Sequence, residues 1–191
     1  MILADGTMGQ MMEHVSLELG EVNEYAKPWA TTGRDTHEGR NVVNSLSLNA
    51  TQLEEWNISR YERYKIVERD EVMYEEFMMD DADICVVSFG IAARVSKNAI
   101  LEARKQGIKV GMIRPITLWP FPKDALKKAA GKVKSFLSVE LNMGQMVDDV
   151  KLAINCSKPV YFYGRTGGVI MTPDEVLNKI KEIEKGEAKQ W

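Results

Sequence analysis

The chain has 191 residues, 45% of them hydrophobic and 28% charged, a composition that supports a globular protein of one domain or slightly more with a real core. Its 28 acidic and 25 basic residues leave a net charge of −3, without the basic excess of a nucleic-acid surface, so no nucleic-acid partner is expected. Apolar runs such as Ile84–Val87 fall far short of the roughly 20 residues that cross a bilayer, and no charged-then-apolar leader is visible; the expectation is a cytoplasmic protein without membrane contact.

At the start only Met1–Asp5 reads as a strand, and the stretch to Leu48 is polar, glycine-bearing and aperiodic. A lone strand has no neighbour to satisfy its backbone, so the chain is expected to begin inside the sheet of a larger protein. Residues 51–79 contain no Gly or Pro and mix both charge signs with Leu53, Trp56, Tyr64, Val67, Met73 and Phe77. They predict one long helix whose charges form a solvated face or, as a minority reading, a docking face. Asp80, Asp81 and Asp83 read as a solvated linker.

From Asp83 onward strand-like and helix-like segments alternate. "DICVVSFG" is a continuous β-branched run, as in a strand covered on both faces. "IAARVSKNAILEARKQG" repeats Val95, Ala99 and Ala103 at steps of four, has Lys105 in its last turn and ends on Gly107 at C′. "IKVGMIRPI" is a second strand, followed by a helix with Pro122 in its first position and Gly131 past its end. "KSFLSVEL" is a third, and "GQMVDDVKLAIN" places Met146, Val147, Val150, Ala153 and Ile154 on one helical face. "PVYFYG" is the fourth strand. The last helix opens with Thr172 as N-cap, Pro173 at N1 and Glu175 at N3, a capping box. Strands joined through helices require right-handed crossovers, so residues 80–191 are expected to form an α/β fold with a mostly parallel, doubly wound sheet. The expected organisation is 1–49, 50–79 as a connecting helix, and 80–191.

Cys85 and Cys156 lack both disulfide-scaffold density and zinc or iron–sulfur spacing, and both are expected as core thiols. His14 and His37 have no carboxylate or thiol partner at metal spacing, so no metal site is expected. No Ser/His/Asp or Cys/His set can be assembled, and no catalytic residue is assigned.

Gly-Gln-Met occurs twice, in "DGTMGQMME" and in "ELNMGQMVDD". A strand running into glycine and then a helix can cradle a phosphate, but Glu140, Asp148 and Asp149 crowd the second copy and Glu13 follows the first, and carboxylates there repel an anion. Gly144 is therefore expected to supply a backbone bend, with Gln145 hydrogen-bonding across a domain or subunit contact. "GRTGG" follows the fourth strand at the carboxyl edge, where open α/β sheets bind ligands. Arg165, Thr166, Gly167 and Gly168 are candidates either for a phosphate or carboxylate ligand or for an interdomain contact. Arg114 and "LWPFP", with Trp119 and Phe121, lie at the same edge, and an interface is favoured there over a cofactor box.

"IRPITLWPFP" (113–122), "SVELNMGQMVDDVKLAI" (138–154), "PVYFYGRTGG" (159–168) and "DGTMGQMME" (5–13) closely resemble the C-terminal half of the α-type subunit of 2-oxoacid:ferredoxin oxidoreductases, nearest the branched-chain type acting on 3-methyl-2-oxobutanoate. The resemblance implies a complex that oxidatively decarboxylates a 2-oxoacid with coenzyme A, thiamine diphosphate, magnesium and iron–sulfur clusters, passing electrons to ferredoxin. It implies that residues 80–191 are a transketolase C-terminal-like domain and that 1–49 hold the tail of a pyrimidine-binding domain with a linker. Its partners would be that missing domain and the other subunits; a homodimer is also left open. In the family the thiamine pyrophosphate is held elsewhere through Gly-Asp-Gly…Asn. Here "ADG" at 4–6 has Ala4 for the first glycine, and Asn41 and Asn44 are isolated, so no cofactor is expected on this chain alone and the fragment is expected to be structural. The alternative is a free-standing flavodoxin-like module binding a phosphate-bearing ligand at Arg165–Gly168.

Overall fold

The computed structural model describes residues 1–18, 20, 25–31 and 41–191. These fall into two units, one of Met1–Met11 with Ile66–Trp191 and one of Met12–Lys65. The first holds a five-stranded sheet in the order β1-β3-β2-β4-β5, built from β1 (Tyr74–Phe77), β2 (Ile84–Ser88), β3 (Val110–Pro115), β4 (Ser135–Glu140) and β5 (Val160–Gly164). Its helices are α1 (Gly6–Gln10), α3 (Gly90–Lys105), α4 (Lys123–Ala130), α5 (Met146–Ala153) and α6 (Pro173–Glu184), while α2 (Ala50–Asp70) begins in the second unit.

The four expected strands run parallel, in register Cys85↔Gly111, Cys85↔Phe136 and Phe136↔Val160. Their alternation sorts the core into two layers. Ile84, Val86, Val110, Met112, Leu137 and Val139 pack under α3 and α6 with Ala99, Ile100, Val176 and Ile180. Cys85, Val87, Ile113 and Phe136 pack under α4 and α5 with Leu126, Val147 and Val150. Strands covered on both faces are buried along their whole length, and so are β2 and β4; β2 is apolar up to Ser88, while β4 carries Ser135, Ser138 and Glu140 among its buried residues.

Helix ends follow the sequence. Thr172 accepts the N–H of Glu175 while the Glu175 carboxylate takes the N–H of Thr172 at 2.8 Å, completing the capping box. Gly107 follows α3 at φ +84. Pro122 is the N-cap of α4, one residue earlier than expected.

Three expectations are corrected. Residues 51–79 are not one helix: α2 stops at Asp70, and Tyr74–Phe77 form an edge strand antiparallel to β3, paired Tyr74↔Pro115 through Phe77↔Met112. The unpaired edge of β3 offers backbone partners, and Glu75 and Phe77 turn inward in alternation with exposed Tyr74 and Glu76. Met1–Asp5 pair with no described strand, and Asp5 instead caps α1 through its carboxylate and the N–H of Met8 at 2.8 Å. Cys85 is buried as expected, but Cys156 is exposed, because the chain leaves α5 through Asn155 and Cys156 at φ +51.

Candidate functional site

Strand order reverses at β2. The chain moves outward to β3 through α3 on one face and returns to β4 through α4 on the other, which opens a switch-point crevice at the carboxyl ends of β2 and β4. There the Ser88 hydroxyl donates to the Val139 carbonyl at 2.8 Å. The Asp5 carboxylate lies 3.4 Å from where a Cβ on Gly90 would stand, so the start of α1 meets the start of α3 beside this crevice.

The last residue of β4 is Glu140, only 1% exposed. Its carboxylate accepts the backbone N–H of Met146 at 2.8 Å, of Val147 at 2.9 Å and of Gln145 at 3.2 Å, and the Ser138 hydroxyl at 2.8 Å. The N-terminal donors of α5, the groups that would cradle a phosphate, are thus satisfied by an anion of the chain itself. At the second Gly-Gln-Met the Glu140 carboxylate occupies the position an incoming anion would take, rather than merely repelling it from nearby. The two copies of the tripeptide also differ in setting, since Gly9 and Gln10 end α1 whereas Gly144 and Gln145 precede α5.

Gly144 bends the chain at φ +103, and a Cβ there would lie 2.8 Å from the Trp191 ring. The Asn142 side chain accepts its N–H at 2.7 Å. Trp191 packs on Phe162 with ring centroids 4.6 Å apart, its N–H donates to the Val160 carbonyl at 3.0 Å, and Lys151 donates to its carbonyl at 2.7 Å. The role of this tryptophan carries no sequence signal, because its contacts are all distant along the chain. The Gln145 side chain is exposed.

At the end of the neighbouring strand, Arg165 donates its N–H to the Glu140 carbonyl at 3.2 Å and its guanidinium to the Glu175 carboxylate. Glu175 is held below the usual carboxylate range first by the Thr172 N–H and then by Arg165. Desolvation pushes the adjoining Tyr163 phenol up, and the charge of Glu175 adds to this. Thr166, Gly167 and Gly168 form an exposed turn closed by the Val169 N–H on the Thr166 carbonyl at 3.3 Å. Arg114 sits apart from this group, across β2, and donates to Glu75 at 2.8 Å, the cross-strand neighbour that also receives Lys97 at 2.5 Å. Lys97, then Arg114, hold the Glu75 carboxyl below its ordinary value. The structure therefore brings Gly144, Gln145 and the 165–168 turn together and separates Arg114 from them. In the aromatic loop Phe121 packs against the core, Trp119 is exposed, and a cleft of about 280 Å³ is lined by Glu68, Val72, Tyr74, Phe121 and Lys123.

Among the described residues no three His, Cys, Asp or Glu side chains are placed to hold a metal ion. Asp5 of "ADG" serves as a helix cap, Asn41 donates to the carbonyls of Pro28 and Ala30, and Asn44 accepts the N–H of Leu46. His14 is exposed, and His37 lies outside the described residues. No helix among the described residues is long and apolar enough to cross a membrane.

These features define a doubly wound α/β domain with a mostly parallel sheet. A split-gene transketolase, solved as an inactive β4 tetramer, superimposes with a TM-score of 0.50 at 16% identity over 58% of this chain and 40% of its own. A 2-oxoglutarate:ferredoxin oxidoreductase from Magnetococcus marinus, solved with 2-oxoglutarate, coenzyme A and succinyl-CoA bound, gives a TM-score of 0.59 at 21% identity over 71% of this chain and 24% of its own. At those identities the likeness is one of fold. Residues 82–176 match the family model of pyruvate:ferredoxin oxidoreductase core domain II, and this part of the chain belongs to that family. It is 42% identical over 184 residues to the ketoisovalerate oxidoreductase subunit VorB of Methanothermobacter marburgensis, covering 95% of this chain and 51% of that protein. The chain thus spans about half the length of the curated relatives it matches.

Proposed function

We infer that the chain is part of the α-type subunit of a 2-oxoacid:ferredoxin oxidoreductase that converts 3-methyl-2-oxobutanoate to its acyl-CoA in the cytoplasm and reduces ferredoxin. Its role is to form a wall of the active-site assembly and pack it, with thiamine diphosphate, magnesium, iron–sulfur clusters and coenzyme A held by the remaining subunits and a preceding pyrimidine-binding domain. The observation that carries the reading is 42% identity to a ketoisovalerate oxidoreductase subunit along 95% of the chain.

The geometry supports a supporting role. At the carboxyl edge Glu140 is consumed by the end of α5, Arg165 by Glu175 and Arg114 by Glu75. The candidates at Arg165–Gly168, Gly144 and Gln145 then act through subunit contacts. The test is co-purification: the tagged chain, mixed with the other subunits of such an enzyme, is expected to elute with them as one species. Elution of the chain alone at every ratio overturns the assignment.

A further inference from the structure

The first half of α2 carries an exposed, mixed apolar and charged row. None of the residues of α2 is buried, although a helix in water is marginal without a packed face. Glu54, Ile58, Tyr61 and Lys65 follow one another at steps of four, three and four, so they form a single row along the helix. Ile58 is 60% exposed and Tyr61 61%. Ala50, Leu53 and Asn57 share this open side of the helix with Glu54, Ile58 and Tyr61.

The row reads acid, apolar, apolar, base, and read backwards it becomes its own complement. We propose that α2 is the contact of a homodimer in which two copies pair antiparallel about a two-fold axis between Ser59 and Arg60. Glu54 of each copy then faces Lys65 of the other, and Ile58 faces Tyr61. A parallel pair would set Glu54 against Glu54 and Lys65 against Lys65, so charge selects the antiparallel, isologous arrangement. Lys65 already touches Glu62 of its own helix at 2.8 Å, with both side chains more than half exposed. Exposed pairs of this kind hold their partners weakly, which leaves the ammonium free to be shared. A contact of about 18 Å of helix is smaller than a standard interface, which predicts a weak, concentration-dependent dimer.

The test is sedimentation velocity on the full chain over a wide concentration range at low salt, with Glu54→Lys and Lys65→Glu variants. The expected wild-type mass rises with concentration from 21.6 kDa towards twice that value. Each single variant is expected to dimerise at least roughly tenfold more weakly, because each brings like charges together at both ends of the row. An equimolar mixture of the two is expected to recover the wild-type constant within about threefold, since opposite charges meet again at both ends. Recovery by mixing also shows that the variants are folded. The proposal is overturned by a wild-type chain that stays monomeric, by single variants that dimerise unchanged, or by a mixture no better than its parts.

Discussion

The Glu140 carboxylate lies 2.9 Å from the backbone nitrogen of Val147, seven residues further on, and this contact ties the last residue of β4 to the first turn of α5. With Met146, Gln145 and Ser138 as further donors, one buried side chain shapes the loop that carries Gly144. Glu140→Ala leaves these donors buried without an acceptor and is expected to cost about 3 kcal/mol of stability. Glu140→Gln keeps one carbonyl acceptor and turns an amide towards N–H donors, so it falls between. Urea unfolding followed by circular dichroism measures both; a loss under about 0.5 kcal/mol for the alanine variant contradicts this role.

Gly164 ends β5 where the chain passes close to the Asn142 loop. A Cβ there would lie 2.4 Å from the Phe162 ring and 2.5 Å from the Asn142 carbonyl oxygen. The carbonyl belongs to the backbone and yields little, so Gly164→Ala is expected to destabilise by about 1–3 kcal/mol. Gly167→Ala meets open space, and its effect comes from a φ of +67 alone. Thermal unfolding of the two variants is expected to rank Gly164→Ala as the less stable.

Glu175 and Glu75 both have folded-state pKa values below their unfolded ones. The folded state thus binds fewer protons than the unfolded state in the carboxylate range. The stability these groups contribute is fully present above the unfolded value of about 4.3 and disappears as pH falls through the lower folded values. The melting temperature is expected to drop on acidification below about pH 5, and to drop less steeply in Glu175→Gln and Glu75→Gln. Melting curves from pH 7 to 3 decide this; unchanged slopes in both variants contradict it.

The two thiols separate by environment. Burial pushes the Cys85 thiol far above its ordinary range, while Cys156 stands exposed after α5. A thiol reagent is expected to modify one cysteine at once in the native protein and the second only on unfolding, with Cys156→Ser abolishing the fast phase.

Legibility followed the range of each interaction. The α6 capping box joins residues three apart, so Thr172 and Glu175 announced it, and the doubly wound sheet followed from apolar runs alternating with helical stripes. β1 was hidden because "YEEF" continues a stretch without Gly or Pro, and its strand character comes from the edge of β3, some 40 residues away. The partner of Arg114 is hidden for the same reason, because Glu75 faces it only when Tyr74–Phe77 pair with β3. In the sequence Glu140 is one of several repelling charges, since nothing local says that a strand's last side chain folds forward onto the next helix. Arg165 stands at the carboxyl edge directly after β5, but its pairing with Glu175 depends on how β5 and α6 meet.

The central claim, that this chain supports a 2-oxoacid oxidoreductase without supplying its chemistry, is met most directly by viologen reduction assayed with 3-methyl-2-oxobutanoate, coenzyme A and thiamine diphosphate. The account predicts no reduction by the purified chain and reduction once the remaining parts of the assembly are added. Turnover by the chain alone, or a complete assembly that ignores every 2-oxoacid, would contradict it.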